Sequence, residues 1–226
     1  MRGCFVTGTD TGAGKTVLAA AIAAALHASG ERVAAFKPVV TGVDEPDAVW
    51  PADHELLATA TGAQPEQVCA TTFGPALSPH LAAQLAGVEL SLDAIVAAAR
   101  AAARGVDVLV VEGVGGLLVP FNASHCVRDL AVELGLPVLV AARPGLGTIN
   151  HSLLTVEAAR AAGLDVRAVV LTPWPAEPSV MQCSNRDTIA ARGGVEVATL
   201  ATVSPAAGDL ARAGAALALQ RWVDDG

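Results

Sequence analysis

The run Gly8-Thr9-Asp10-Thr11-Gly12-Ala13-Gly14-Lys15-Thr16 directly follows the apolar stretch Cys4-Phe5-Val6. A strand that turns through glycines into a helix exposes several backbone N–H groups at the helix N-terminus, where a polyphosphate can sit. Lys15 can then reach the outer phosphates, and the Thr16 hydroxyl can ligate Mg²⁺. Val17 to Leu26 is an Ala-rich apolar stretch of helix-forming character, ended by Ser29-Gly30. Five residues separate Gly8 from Gly14, one more than the standard spacing, so Thr9 stands where the usual first glycine would be. Strand, loop and helix in this order point to a nucleotide-binding α/β fold; the plainer reading is a Gly-rich strand–helix turn with an incidental Gly-Lys-Thr.

A length of 226 residues suits one domain, expected to span 1–226, with a full hydrophobic core. Hydrophobic residues make up 53% of the chain and aromatics only 3%, which suits Ala-faced helices on Val/Leu strands and argues against base-stacking platforms. The net charge of −8, without a basic stripe, argues against nucleic acid or an anionic membrane as a partner. Cys4, Cys69, Cys126 and Cys183 are far apart and form no Cys-x-x-Cys pair. They read as reduced, mostly buried thiols rather than a metal site or disulfide framework. No charged leader precedes the first strand, and the longest apolar run is roughly half of what a bilayer requires. A soluble, cytoplasmic protein is expected.

Short Val/Leu runs alternate with longer Ala-rich segments, the pattern of a parallel sheet covered by helices. Strands are expected near 3–7, 32–37, 107–112, 137–142, 166–171 and 195–200. Helices are expected near 15–28, 53–61, 79–86, 91–104, 124–134, 148–162, 180–192 and 208–222. Cys69 to Phe73 is a candidate short strand, while Gly42 to Pro51 and Thr172 to Pro178 read as Pro-rich loops. Val108 to Val111 and Val138 to Val140 lack polar alternation and should be buried on both faces. In such sheets ligands collect beyond the carboxyl ends of the strands, so polar residues just after each strand carry weight.

Lys37 ends the second strand in Val33-Ala34-Ala35-Phe36-Lys37-Pro38, and Pro38 blocks further pairing there. A lysine in such a place is ordinarily solvated, but this one shares its sheet edge with Lys15. Two lysines near one polyphosphate could neutralise charge developing during phosphoryl transfer. Glu112 follows Asp107-Val108-Leu109-Val110-Val111 and precedes Gly113-Val114-Gly115-Gly116. A carboxylate at that strand end is placed to hold Mg²⁺, and the glycines let backbone pass close to a ligand; the plainer reading is a Gly-rich turn with a capping Glu.

Asp53 opens Asp53-His54-Glu55-Leu56-Leu57 and reads first as a helix N-cap. Its functional reading is a second carboxylate on Mg²⁺, for which Asp44, Glu45 and Asp47 compete equally. Gly145-Leu146-Gly147-Thr148-Ile149-Asn150-His151 leads into a helix whose free N–H groups suit a carboxylate, although Thr148 or Asn150 can simply cap it. His151 is expected on the helix surface without a role. In Ser78-Pro79-His80 the serine caps and the histidine could line the cleft. No Ser–His–Asp spacing or histidine cluster points to triad hydrolysis or a metal centre.

Taken together, the phosphate loop, Lys37-Pro38-Val39-Val40-Thr41-Gly42, Ser78-Pro79-His80, Val111-Glu112-Gly113-Val114-Gly115-Gly116 and Gly147-Thr148-Ile149-Asn150-His151 resemble the dethiobiotin synthetases. The order and rough spacing of that family's motifs are kept over residues 1 to about 165. The longer loop, and Lys37-Pro38 with a hydroxyl residue four positions after the lysine, are family traits. The resemblance implies an ATP- and Mg²⁺-dependent ligase of biotin synthesis that joins CO₂ to 7,8-diaminononanoate and closes a cyclic urea. Thr11, Lys15 and Lys37 would then be catalytic, and Thr16, Asp53 and Glu112 would hold Mg²⁺. Nucleotide contacts would fall on Gly12, Ala13, Gly14, Lys15, Thr16, Val17, Asp53, Glu112, Gly113, Val114, Gly115, Thr172 and Pro173. Thr41 would meet the diamine end. Gly147, Thr148, Ile149 and Asn150 would bind the distant carboxylate, contributed by the other subunit of a homodimer. The chain departs from the family at Thr172-Pro173-Trp174-Pro175, where an Asn-containing segment is common, and Ser184-Asn185-Arg186 matches only loosely.

The main rival is a partitioning or septum-positioning switch ATPase of the same phosphate-loop branch. Such proteins carry a signature lysine where this chain has Asp10, and often a basic amphipathic helix, which Ala206 to Gly226 does not provide. A degenerate binding module would not be expected to keep Lys15, Thr16, Lys37 and Glu112. An amidotransferase-linked synthetase would need a glutaminase domain for which 226 residues leave no room.

Overall fold

The strands are long on Val, Leu and Ala and almost free of charge, so they form a sheet that is covered on both sides. The computed structural model describes residues 1–45, 47 and 49–224. Its strands are β1 (Gly3–Gly8), β2 (Val33–Phe36), β3 (Val40–Thr41), β4 (Thr72–Phe73), β5 (Val108–Glu112), β6 (Val138–Ala142), β7 (Val166–Trp174) and β8 (Glu196–Ala201). Six of them make one sheet in the order β2-β5-β1-β6-β7-β8, with every neighbouring pair parallel. β3 and β4 pair separately, also in parallel.

Alternation along β1 sorts the core into two layers, as the pleat requires. Cys4 and Val6 face one cluster with Val108, Val110, Leu139 and Val170. Phe5 faces the other with Leu109, Val111, Val138 and Val140. The first layer is covered by α1 (Lys15–Ala28), α2 (Asp53–Thr61) and, from the chain's end, α9 (Ala207–Ala215) and α10 (Leu219–Val223). Between them in sequence lie α3 (Pro65–Val68), α4 (Pro79–Ala86), α5 (Leu92–Ala102), α6 (Val127–Leu134), α7 (Thr148–Ala161) and α8 (Val180–Gly193). Of these, α5, α6 and α7 supply most of the helical residues of the second layer.

The Ala-rich α1 is buried almost all round, because sheet, α2 and α9 enclose it. Gly214 of α9 lies against the Ala21 carbonyl so closely that a Cβ there would run into it. Val108–Val111 and Val138–Val140 are fully buried, as their lack of alternation predicts.

Several boundaries differ from the expectation. The strand at 166–171 runs on through Thr172, Pro173 and Trp174, so the supposed Thr172–Pro178 loop begins only after Trp174. Its pairing with β8 shifts register between Leu171 and Trp174, which accommodates a proline without an N–H. The single helix expected at 208–222 is two, α9 and α10, with a break at 216–218. The helix expected from 124 starts at Val127, because the Asn122 side chain accepts the Ser124 and His125 N–H groups in a turn. The candidate strand at Cys69–Phe73 shrinks to β4, and α3 and β3 were not expected. Cys4 and Cys69 are buried, whereas Cys126 and Cys183 are only half-buried; all four are free. No helix among the described residues is long and apolar enough to cross a membrane.

Candidate active site at the carboxyl edge of the sheet

The order β2-β5-β1 sets the ends of three strands side by side, and each ends in a residue singled out from sequence. β1 runs into the phosphate loop, Lys37 follows β2, and Glu112 closes β5. α1 begins within the loop, with left-handed Gly14 as its N-cap and no side chain capping it, so its first N–H groups are free for an anion. A Cβ on Gly14 would strike the methyl group of Thr172, so the carboxyl end of β7 leans directly on the loop.

Lys37 is 2% exposed, not solvated as a strand-end lysine ordinarily is. Its Nζ donates to Asp53 Oδ2 at 2.5 Å and to Glu112 Oε1 at 2.6 Å. The Thr16 hydroxyl lies between the same two carboxylates, 2.7 Å from Asp53 Oδ1 and 2.8 Å from Glu112 Oε1. Four residues far apart in sequence thus form one cluster. Asp53 is the first helical residue of α2 rather than its N-cap; Ala52 holds that position, and the Glu55 side chain accepts its N–H. Freed from capping, the Asp53 carboxylate turns into the cluster. Two of its rivals accept backbone N–H groups instead: Asp47, which also lines the cleft over this cluster, takes those of Val49 and Trp50, and Glu45 takes that of Ala76.

Burial pushes the Lys37 ammonium toward neutrality, but Asp53 and Glu112 outweigh it and hold its pKa above the ordinary lysine value. Burial also disfavours the Asp53 carboxylate, yet Lys37 and the Thr16 hydroxyl bring its pKa below the usual range. Glu112, wholly buried, goes the other way: burial raises its pKa and Lys37 offsets only part of that. Lys15 is lowered by burial and by the neighbouring Lys37 charge. Its Nζ donates to the Asp10 carbonyl at 3.1 Å.

A cleft of about 740 Å³ opens over this cluster. Thr11, Gly12, Gly14, Lys15, Thr16, Val17, Lys37, Thr41, Asp53, Val114 and Gly115 line it, together with Ser78 and Pro79. His80, which could have lined the cleft, is exposed and is not part of that lining. Gly113 sits behind the cleft, where a Cβ would meet Val127 and Phe5. Ala13 and Thr148 line a second hollow on the outer side of the loop, with Arg143, Leu146 and His151. Gly147 is the left-handed N-cap of α7 without a side-chain cap bond, so neither Thr148 nor Asn150 caps that helix. Ser78 occupies the N-cap of α4 but makes no capping bond either. Within one chain, none of residues 147–150 lines the cleft over Lys37, and Thr148 lines the second hollow instead.

Among the described residues no group of three His, Cys, Asp or Glu side chains could hold a metal. Two carboxylates and a hydroxyl do suit Mg²⁺, a hard cation that takes oxygen ligands and fills its remaining positions with water and phosphate. Glu112 Oε2 is buried without a hydrogen-bond partner, which leaves an acceptor ready for such a cation.

A family model described as an AAA domain matches residues 2–207. The ATP-dependent dethiobiotin synthetase BioD of Anaeromyxobacter dehalogenans is 50% identical over 173 residues, which are 76% of each chain. The chain belongs to the dethiobiotin synthetase family. The enzyme of the same name from Rhodococcus erythropolis is 40% identical over 84% of each chain. Among solved structures, chloroplast FtsY from Physcomitrella patens superposes with a TM-score of 0.52 at 16% identity, covering 94% of this chain and 64% of that one. That likeness concerns the fold alone, a mainly parallel phosphate-loop architecture. In this dethiobiotin synthetase family member, Arg143 is absent from the sequence-based expectations although it follows β6 as Lys37 follows β2. The same strand-end rule would have found it.

Proposed function

We propose that the chain is an ATP-dependent ligase of biotin biosynthesis that converts 7,8-diaminononanoate and CO₂ into dethiobiotin. The observation that carries this reading is the buried Lys37 ammonium held between Asp53 and Glu112, beside Thr16 and above the phosphate loop. One substrate amine captures CO₂ as a carbamate. A carbamate oxygen is a poor leaving group, so transfer of the terminal phosphoryl group of ATP to it makes closure feasible. The second amine then attacks the carbonyl carbon, the bond to the phosphate oxygen breaks, and phosphate departs as the cyclic urea forms. The chain's part is to align the amines and shield anionic oxygens.

In this reading Thr11, Lys15 and Lys37 face the carbamate and the transferring phosphoryl group, and Thr41 meets the diamine. Thr16, Asp53 and Glu112 would hold Mg²⁺, which when bound neutralises charge on the phosphate oxygens. Gly12 to Val17 together with Glu112, Gly113, Val114 and Gly115 embrace the triphosphate, and Thr172 and Pro173 lie toward the base. Residues 147–150 serve the cleft of a second copy in a homodimer. Their absence from the lining of the cleft over Lys37 within one chain supports that arrangement, as does the neighbouring Leu146, which is 92% exposed.

The decisive assay measures phosphate release with Mg²⁺-ATP and bicarbonate, with and without the diamine, and looks for the cyclic urea by mass spectrometry. Diamine-dependent phosphate matched by dethiobiotin is expected; phosphate release indifferent to the diamine would overturn the reading. Asn150→Ala should mainly raise the KM for the diamine. If it altered only nucleotide affinity, the carboxylate site would be wrongly assigned.

A further inference from the structure

Arg143 follows β6, which pairs with β1 on the side away from β5, and grips the phosphate loop from there. Its Nε donates to the Gly12 carbonyl at 2.9 Å and its Nη2 to the Thr11 carbonyl at 3.1 Å. Gly12 is left-handed, with φ +68°, which favours glycine, and a Cβ there would lie 2.5 Å from Nη2 and push the guanidinium aside. The segment carrying Arg143 is itself pinned. Asn185 of α8, 6% exposed, donates through Nδ2 to the carbonyls of Pro144 at 3.1 Å and Gly145 at 3.2 Å. A chain of hydrogen bonds therefore runs from α8 through the β6–α7 connection to the loop.

We propose that Arg143 is a positioning residue of the phosphate loop, held in register by Asn185, and that together they set the affinity for the nucleotide polyphosphate. The inference rests on the reading of Gly8–Thr16 as a nucleotide site. The two carbonyls that Arg143 engages belong to the peptide units that carry the Gly12 and Ala13 N–H groups. A charged donor on a peptide oxygen draws electron density from the unit and makes its N–H a stronger donor. The guanidinium fork also fixes the plane of two successive peptides, one of them at a glycine free to take many conformations. A lysine in its place offers a point charge without the fork. Asn185 acts one step back: without it, the backbone that aims Arg143 loses its anchor on α8.

The test is calorimetric titration of the full chain with Mg²⁺ and adenylyl imidodiphosphate, a non-hydrolysable ATP analogue, in the absence of diamine. Arg143→Ala should weaken binding about tenfold. Arg143→Lys should recover part of that loss, and Asn185→Ala should weaken binding roughly threefold in the same direction. The KM for the diamine should stay within about twofold in all three. Binding by Arg143→Ala within about twofold of the parent overturns the proposal. So does a loss that lysine does not relieve and that comes with a collapse in thermal stability, since that marks a merely structural role. Because no diamine is present, a chain that makes no dethiobiotin still reports on Arg143. A parent that binds no analogue removes the nucleotide reading and this proposal together.

Discussion

The two edges of the sheet use the same chemistry in opposite ways. At the amino edge, charged residues around the strand starts pair directly where water reaches them. Arg32 precedes β2 and meets Asp107, which precedes β5, at 2.6 Å, with side chains 66% and 40% exposed. Arg221 meets Glu196 at the start of β8 at 3.1 Å, and Arg2 pairs with Glu31 and Asp224 beside β1. At the carboxyl edge Lys37 pairs with Asp53 and Glu112 at comparable distances, but Lys37 is 2% and Glu112 0% exposed. Water screens the first set, so its pairs contribute little. Burying the second set costs desolvation that ion pairing only partly repays. The raised pKa of Glu112 and the lone Oε2 are marks of that cost. Pairs that merely hold a fold together need not be buried; a buried and incompletely satisfied cluster supports the view that this edge is built for charge arriving with a ligand.

Replacing Lys37 should break the comparison most sharply. Lys37→Ala is expected to lower dethiobiotin formation by about a thousandfold or more while Mg²⁺-nucleotide binding persists, measured by steady-state turnover and by titration. It also strands Glu112, so the fold should lose about 3–5 kcal/mol in denaturant melts. Lys37→Met combined with Glu112→Gln removes both buried charges and should regain most of that stability with none of the activity. Normal turnover in Lys37→Ala would remove this lysine from the chemistry and make the two edges equivalent.

Asp53 offers a finer test, because its side chain is 42% exposed and so stands between the two regimes. Asp53→Asn should leave thermal stability nearly unchanged yet raise the Mg²⁺ concentration for half-maximal turnover by at least about tenfold. An unchanged Mg²⁺ requirement would confine the metal to Thr16 and Glu112.

What the sequence carries, and what it does not, follows from how each feature is encoded. The phosphate loop, Lys37 and Glu112 are legible because each depends on a local pattern, an apolar strand and then one polar residue. Asp53 is not separable from Asp44, Glu45 and Asp47 in sequence; only the fold brings its carboxylate to Lys37, while Asp47 and Glu45 accept backbone N–H groups. Pro173 reads as a loop residue because it lacks an N–H, but a register shift against β8 lets the strand continue through it. Arg143 is legible by the same strand-end pattern, since it follows β6 directly, but its grip on the loop is not, and Asn185 escapes altogether, because their partners are backbone carbonyls, which no residue type advertises.

The smallest expected effect belongs to the amino edge. Asp107 is held down to about 2 by the Arg32 side-chain hydrogen bonds and then by the Arg32 backbone N–H. An aspartate in the unfolded chain titrates near about 3.9. A carboxyl whose folded pKa is depressed contributes stability that is fully present above its unfolded pKa and is lost as pH falls through its folded one. The gap between parent and Asp107→Asn should therefore be constant above about pH 5 and close as the pH approaches about 2, read from urea midpoints across that range. Raising the salt should narrow the gap at neutral pH, since both side chains meet water, and turnover should not change in either variant or buffer. A gap as wide near pH 2 as at neutrality would mean that Asp107 acts through the shape of the turn before β5 rather than its charge. The amino edge would then differ from the buried cluster in kind as well as in exposure.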